Sequence, residues 1–127
     1  MNDEMYIFNG KKYRCPIEVF FEVVGGKWKI IFLWNIAKNG PMRFGALHKL
    51  HPNLSEKMLS QQLHELEVDG LINRALVRTV PLWVEYSLSD LGQSLVPIMS
   101  ELSGWSQKYL ELLAENDTAT PQTPSST

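Results

Sequence analysis

One cysteine in 127 residues excludes an internal disulfide and, within one chain, a cysteine-based zinc site. A lone thiol suits a reducing compartment. The N-terminal run MNDEMYIFNGKKYRC lacks the basic start, apolar stretch and small-residue cleavage site of a signal peptide, so a cytoplasmic protein is expected. No apolar run reaches about 18 residues, so no membrane span is expected. The longest candidate, Lys29 to Ala37, is short and has charges close by. No nucleophile, base and acid are grouped for catalysis, and Gly25-Gly26-Lys27 lacks the spacing of a phosphate loop, so an enzyme is not expected. His48 and His51 have no cysteine or carboxylate companion and read as a surface pair rather than metal ligands. No cofactor or metal is expected.

Basic charge is also scarce overall, with a formal net charge of −2. Its distribution matters more. Residues 1–80 hold 11 Lys/Arg against 8 Asp/Glu, whereas residues 81–127 hold 1 against 6. The first part is mildly basic, and the acidic remainder should face away from any phosphate partner. The hydrophobic share of 44% is that of a globular protein, and the length fits one domain.

Periodicity divides the chain. Residues 1–14 read as an extended arm. Pro16 suits the first turn of a helix that runs Ile17 to Val24 and stops at Gly25-Gly26. A second helix, Lys27 to about Lys38, is apolar almost all round and should be the buried centre. Phe44, Leu47 and Leu50 mark a short helix ending before Pro52. Ser55 is a good N-cap for the next helix, whose core face is Leu59, Leu63 and Leu66. Lys57, Ser60, Gln61 and His64 fall on its opposite face, and Asp69-Gly70 closes it. Two strand-like runs follow, Leu71–Val80 and Trp83–Leu88, with Arg74 and Arg78 expected on one side of the ribbon. Ser89 or Asp90 caps one last long helix with the stripe Leu91, Leu95, Ile98, Leu102, Trp105, Tyr109 and Leu112. From Ala114 the chain is polar and is expected to be disordered.

Helix, turn, helix, ribbon, helix is the order of a winged helix-turn-helix. The expected fold is mainly α (α+β), with a two-stranded wing and N- and C-terminal dimerisation helices. The expected division is 1–14 as an arm, 15–113 as the domain and 114–127 as a tail. In such an architecture the second helix enters the major groove and its N-terminal half reads bases. Gln61 offers an amide for adenine, and Lys57 suits a guanine or a phosphate. Ser55 and Ser60 suit phosphate or water contacts. Arg74 and Arg78 would grip the flanking backbone or minor groove, and Arg43 and Lys49 phosphate from the preceding segment. His64 completes the reading face.

The motifs CPIE, GGKW, RFGAL, S-x-KMLSQQL-x-EL, DGLI-x-R and VP-x-x-VEYSLSDLG occur in that order. Together they resemble the HxlR-type family of winged-helix transcription regulators, over about residues 15 to 107. The resemblance implies a bacterial homodimer that binds double-stranded DNA at a palindromic operator. It also implies pairing through the terminal helices, here with Ile17, Phe20, Phe21, Leu95, Ile98, Leu102, Trp105 and Tyr109, and a response to electrophiles or oxidants through a cysteine near the N-terminus. Cys15 is that cysteine. Its residue context leaves two readings open: a thiol activated by a helix start and by Lys11, Lys12 and Arg14, or a small buried filler. The chain departs from the family pattern at His64 and Trp83, where arginine is usual, and at Ala46, where glutamate is common. Two alternatives stand beside this reading. One is a winged helix turned protein-interaction module, favoured by the net acidity and Trp83. The other is a small-ligand regulator with Trp28, Trp34 and Trp105 lining a pocket.

Overall fold

The computed structural model describes residues 5–116. The arm is a β-hairpin rather than a single extended segment. Strands β1 (Tyr6–Phe8) and β2 (Lys11–Tyr13) pair antiparallel, with Tyr6 opposite Tyr13. Asn9 and Gly10 make the turn with φ of 50° and 78°. Two successive positive φ values match the twist of the flanking strands, which is why Asn-Gly favours a two-residue hairpin. Most of the expected tail lies outside the described residues, but its first residues, Ala114 to Asn116, are helical.

Helix α1 (Pro16–Val23) begins with proline, whose absent N–H needs no partner there. It buries no residue fully. Helix α2 (Trp28–Asn39) is the centre of the domain, with Phe32, Leu33 and Ile36 buried. Strand β3 (Met42–Arg43) leads directly into α3 (Phe44–Leu50), which buries Leu47. Helix α4 (Glu56–Val68) lays Leu59, Leu63 and Leu66 against α2, all at 0% exposure. Each such leucine contributes about 1.5–3 kcal/mol through its removal from water.

The ribbon is β4 (Ile72–Arg78) paired with β5 (Trp83–Leu88). A third strand, not anticipated from sequence, is β3, which pairs Met42 with Tyr86 and Arg43 with Glu85. The sheet order is β3-β5-β4. A bulge interrupts the register between Leu76 and Arg78: Leu76 faces Val84, yet Arg78 faces Trp83. One extra residue on β4 turns its following side chain to the other face.

The last helix is two helices. Ser89 caps α5 (Asp90–Gln93) by accepting the Gly92 N–H at 3.0 Å, and α6 runs Val96–Asn116. Pro97 explains the break. Its ring would clash with the Gln93 carbonyl, four residues back, so one helix cannot run through, whereas the first turn of a new helix accepts it. The Leu95 N–H instead bonds the Gly92 carbonyl at 3.1 Å, a tighter turn. Gly92 is buried against the Leu71 carbonyl, where a Cβ would collide, and this close approach docks the start of the C-terminal helices on the sheet.

Candidate nucleic-acid interface

Helix α4 presents the face expected of it. The Ser55 Oγ accepts the Met58 N–H at 3.0 Å, fixing the first turn. Lys57, Ser60, Gln61 and His64 are all exposed, on the side away from Leu59, Leu63 and Leu66. Gln61 is also tethered. Its Nε2 donates to Glu65 Oε2 at 3.3 Å, and Glu65 Oε1 pairs with the Lys29 ammonium at 2.7 Å. The hydrogen bond from Lys29, opposed by desolvation and helped by its charge, holds the Glu65 carboxyl below its ordinary pKa. Because an amide nitrogen carries two hydrogens, Gln61 keeps one N–H and its carbonyl free for a base edge. In sequence Lys29 reads only as part of a buried helix. In the structure it is 8% exposed, and its ion pair links the domain centre to α4.

The wing differs from expectation. Arg74 faces Tyr86, on the side that packs toward the core, whereas Arg78 faces Trp83. The bulge therefore separates two arginines expected to act side by side. Arg78 joins Arg43 instead. The Arg43 guanidinium lies 4.3 Å from the centre of the Trp83 ring and that of Arg78 lies 4.8 Å from it. Trp83 Nε1 donates to Glu85 Oε2 at 3.0 Å. Lys49 is exposed on α3 and borders a surface recess with Arg43, Gly45 and Ala46.

The histidines His48 and His51 are half-buried struts rather than a surface pair. His48 Nε2 donates to the Leu54 carbonyl at 2.7 Å, across the turn between α3 and α4. His51 Nε2 donates to Asn35 Oδ1 at 2.7 Å, and burial lowers its pKa from the ordinary 6.5. The first bond braces the turn between α3 and α4, and the second ties the end of α3 to α2. Spacing alone gives no sign of such a role.

Both terminal helices leave apolar surface uncovered. Ile17 and Phe21 on α1 are 63% and 62% exposed, and Trp105 on α6 is 66% exposed. Ile98, Leu102 and Tyr109 are exposed beside it, and the Trp105 and Tyr109 rings stack at 5.3 Å. Phe20 and Leu95, expected at the same interface, pack against the chain's own core instead. The buried residue of α6 is Met99, absent from the expected stripe. Cys15 caps α1, half-exposed, its carbonyl accepting the Glu18 N–H at 3.0 Å. Of the three tryptophans expected to line a pocket, Trp34 borders a recess of about 210 Å³ between α2 and α6 with Met99 and Leu102, whose lining does not include Trp28 or Trp105. Trp28 packs on Phe32 and His51. No helix among the described residues is long and apolar enough to cross a membrane.

Comparison with known proteins agrees with this architecture. The HxlR-like helix-turn-helix family model matches residues 23–114. The uncharacterized HTH-type transcriptional regulator YkvN of Bacillus subtilis (strain 168) is 48% identical over 101 residues, which is 80% of this chain and 85% of YkvN. Among solved structures, the redox regulator HypR in its reduced form superposes with a TM-score of 0.73 at 36% identity, covering 80% of this chain and 99% of that one. The HTH-type transcriptional regulator ytcD superposes with a TM-score of 0.70 at 43% identity, covering 76% and 98%. The chain is therefore a winged-helix member of the HxlR-like helix-turn-helix family of transcriptional regulators.

Proposed function

We propose that this chain binds double-stranded DNA as a homodimer and reads a palindromic operator through α4. The observation that carries the reading is the exposed Lys57, Ser60, Gln61 and His64 face on a helix anchored by three fully buried leucines. Such a face presents donors and an amide on a rigid support, as base-edge readout in the major groove requires. Ser55 at the cap suits a phosphate, and Lys49, Arg43 and Arg78 supply flanking phosphate contacts that position without specifying. Arg74, turned to the other face of the ribbon, is left with at most a peripheral phosphate contact.

A single α4 reads few base pairs. A two-fold pair would set two of them about 34–36 Å apart, one turn of DNA. Ile17, Phe21, Ile98, Leu102, Trp105 and Tyr109 are large apolar side chains that the single chain leaves open to water. Burying these side chains against a second copy is the natural use of them. Cys15 is the candidate sensor. It sits at the start of α1, on the helix assigned to the dimer interface, and the similar protein HypR is a redox regulator. With one cysteine per chain, an oxidant such as diamide could join Cys15 to a small thiol or to the partner's Cys15.

The test is a footprint on the chain's own promoter region, with and without diamide, for wild type and Cys15→Ser. Two protected half-sites about 10 base pairs apart are expected. Diamide should change the wild-type pattern and leave that of Cys15→Ser alone. Absence of any protected site would refute the DNA reading. A Cys15→Ser protein that still responds would refute the sensor.

A further inference from the structure

We propose that Trp83 is a positioning residue whose indole gathers Arg43 and Arg78 into one phosphate-gripping unit on the wing. The inference rests on the DNA-binding reading above and identifies what shapes the wing's grip.

Arg43 and Arg78 lie on strands that do not pair with each other, since β5 runs between β3 and β4. Two features of the sheet bring them together. The pairing of Arg43 with Glu85 places Arg43 two residues along from Trp83, on the same face of the sheet. The bulge between Leu76 and Arg78 then turns Arg78 onto that face, where regular alternation would have left it beside Arg74. Both guanidiniums end within 5 Å of the indole centre, at 4.3 Å and 4.8 Å. The hydrogen bond from Trp83 Nε1 to Glu85 Oε2 restrains the ring they lie over.

This arrangement has an electrostatic consequence. Among the described residues neither arginine is ion-paired; the salt bridge found there is that of Lys29 with Glu65. The Glu85 carboxylate is engaged with the indole. Two unpaired cations beside one ring repel each other, and DNA phosphates bound to them relieve the repulsion. A guanidinium stacked on an aromatic face keeps its in-plane N–H groups free to grip phosphate oxygens. The ring also removes rotamer freedom before DNA arrives, so less is lost on binding. The occupant is a DNA phosphodiester, recognised without regard to sequence. Trp83 thus serves the wing's cationic grip by gathering two arginines from the strands on either side of its own.

The test uses the full chain and fluorescence anisotropy on specific and scrambled duplexes across a salt series. Trp83→Leu keeps apolar bulk and removes the ring. It should weaken binding to both duplexes by about five- to tenfold and flatten the salt dependence by about 0.9 for each phosphate no longer gripped. Trp83→Phe should restore most of the slope. In an Arg43→Ala/Arg78→Ala background Trp83→Leu should add almost nothing. An unchanged salt slope, or a loss that simply adds to those of the arginines, overturns the inference even if Trp83→Leu lowers the melting temperature. Should Trp83→Leu fail to fold, tryptophan emission answers the question. Duplex should change the wild-type emission and leave that of Trp83→Phe much less affected; equal changes overturn the inference. Wild type that binds neither duplex would instead refute the DNA reading itself.

Discussion

The Lys29–Glu65 pair yields a prediction whose size depends on which partner is removed. The Lys29 side chain is 10% exposed and that of Glu65 is 41% exposed. Removing Glu65 as Glu65→Gln leaves an ammonium held among apolar side chains of the domain centre. Breaking a fully buried pair this way costs about 3–5 kcal/mol, and an exposed pair contributes about 1 kcal/mol or less. Here one end is open to water, so the lysine can be partly solvated and the cost should fall to about 1–2 kcal/mol. Removing Lys29 as Lys29→Met keeps an apolar stem in the same space and orphans only a carboxylate that water reaches. That change should cost under about 1 kcal/mol. The pH dependence follows from the lowered Glu65 pKa. A depressed carboxyl pKa means stability that is fully present above the ordinary 4.5 and is lost as pH falls through the folded value. The wild type should therefore lose stability in that acid range more steeply than Glu65→Gln. Urea unfolding at one fixed protein concentration measures all three proteins, which matters for a chain expected to dimerise. A larger cost for Lys29→Met than for Glu65→Gln would place the costly desolvation on Glu65 and contradict this ordering.

Three further outcomes follow from single side chains. Ser55→Ala removes the acceptor of the Met58 N–H and should cost about 1 kcal/mol by thermal melting, with Ser55→Asp restoring most of it. His51 has a pKa lowered by burial, so its contribution is intact above 6.5 and is lost as pH falls through the folded value; His51→Gln should flatten the melting temperature over that range. Trp105→Glu places a charge on the most exposed large apolar side chain of α6 and should shift the mass in solution at micromolar concentration from dimer to monomer; a monomeric wild type would contradict the proposed assembly.

The parts of the fold that repeat are legible in the sequence. Leu59, Leu63 and Leu66 define one helical face, so the opposite face of α4 follows from spacing alone. Ser55 has a side chain and a position that suit a cap. The parts that escape depend on single local events. The two-residue strand β3 is too short to show a period, yet it delivers Arg43 to the wing. The bulge at Leu76 and Arg78 adds one residue to β4, and one residue is enough to reverse a face that alternation assigns. Asn9-Gly10 and Pro97 are visible as residues, but their consequences, a hairpin and a helix break, are masked by the larger pattern around them. His48 and His51 bond to Leu54 and Asn35, partners that only the packed turn brings within reach. Phe20 and Leu95 share the apolar character of the uncovered residues, and only packing tells inward from outward.

We infer that α4 reads bases through Gln61 from a support held by Lys29 and Glu65. The most direct measurement is a titration of wild type and Gln61→Ala against the footprinted operator and a scrambled duplex at one fixed salt concentration. Gln61→Ala should lose about 1–3 kcal/mol on the operator and change little on the scrambled duplex, narrowing the gap between the two. Equal affinities for wild type and Gln61→Ala on the operator, with the gap unchanged, would contradict it.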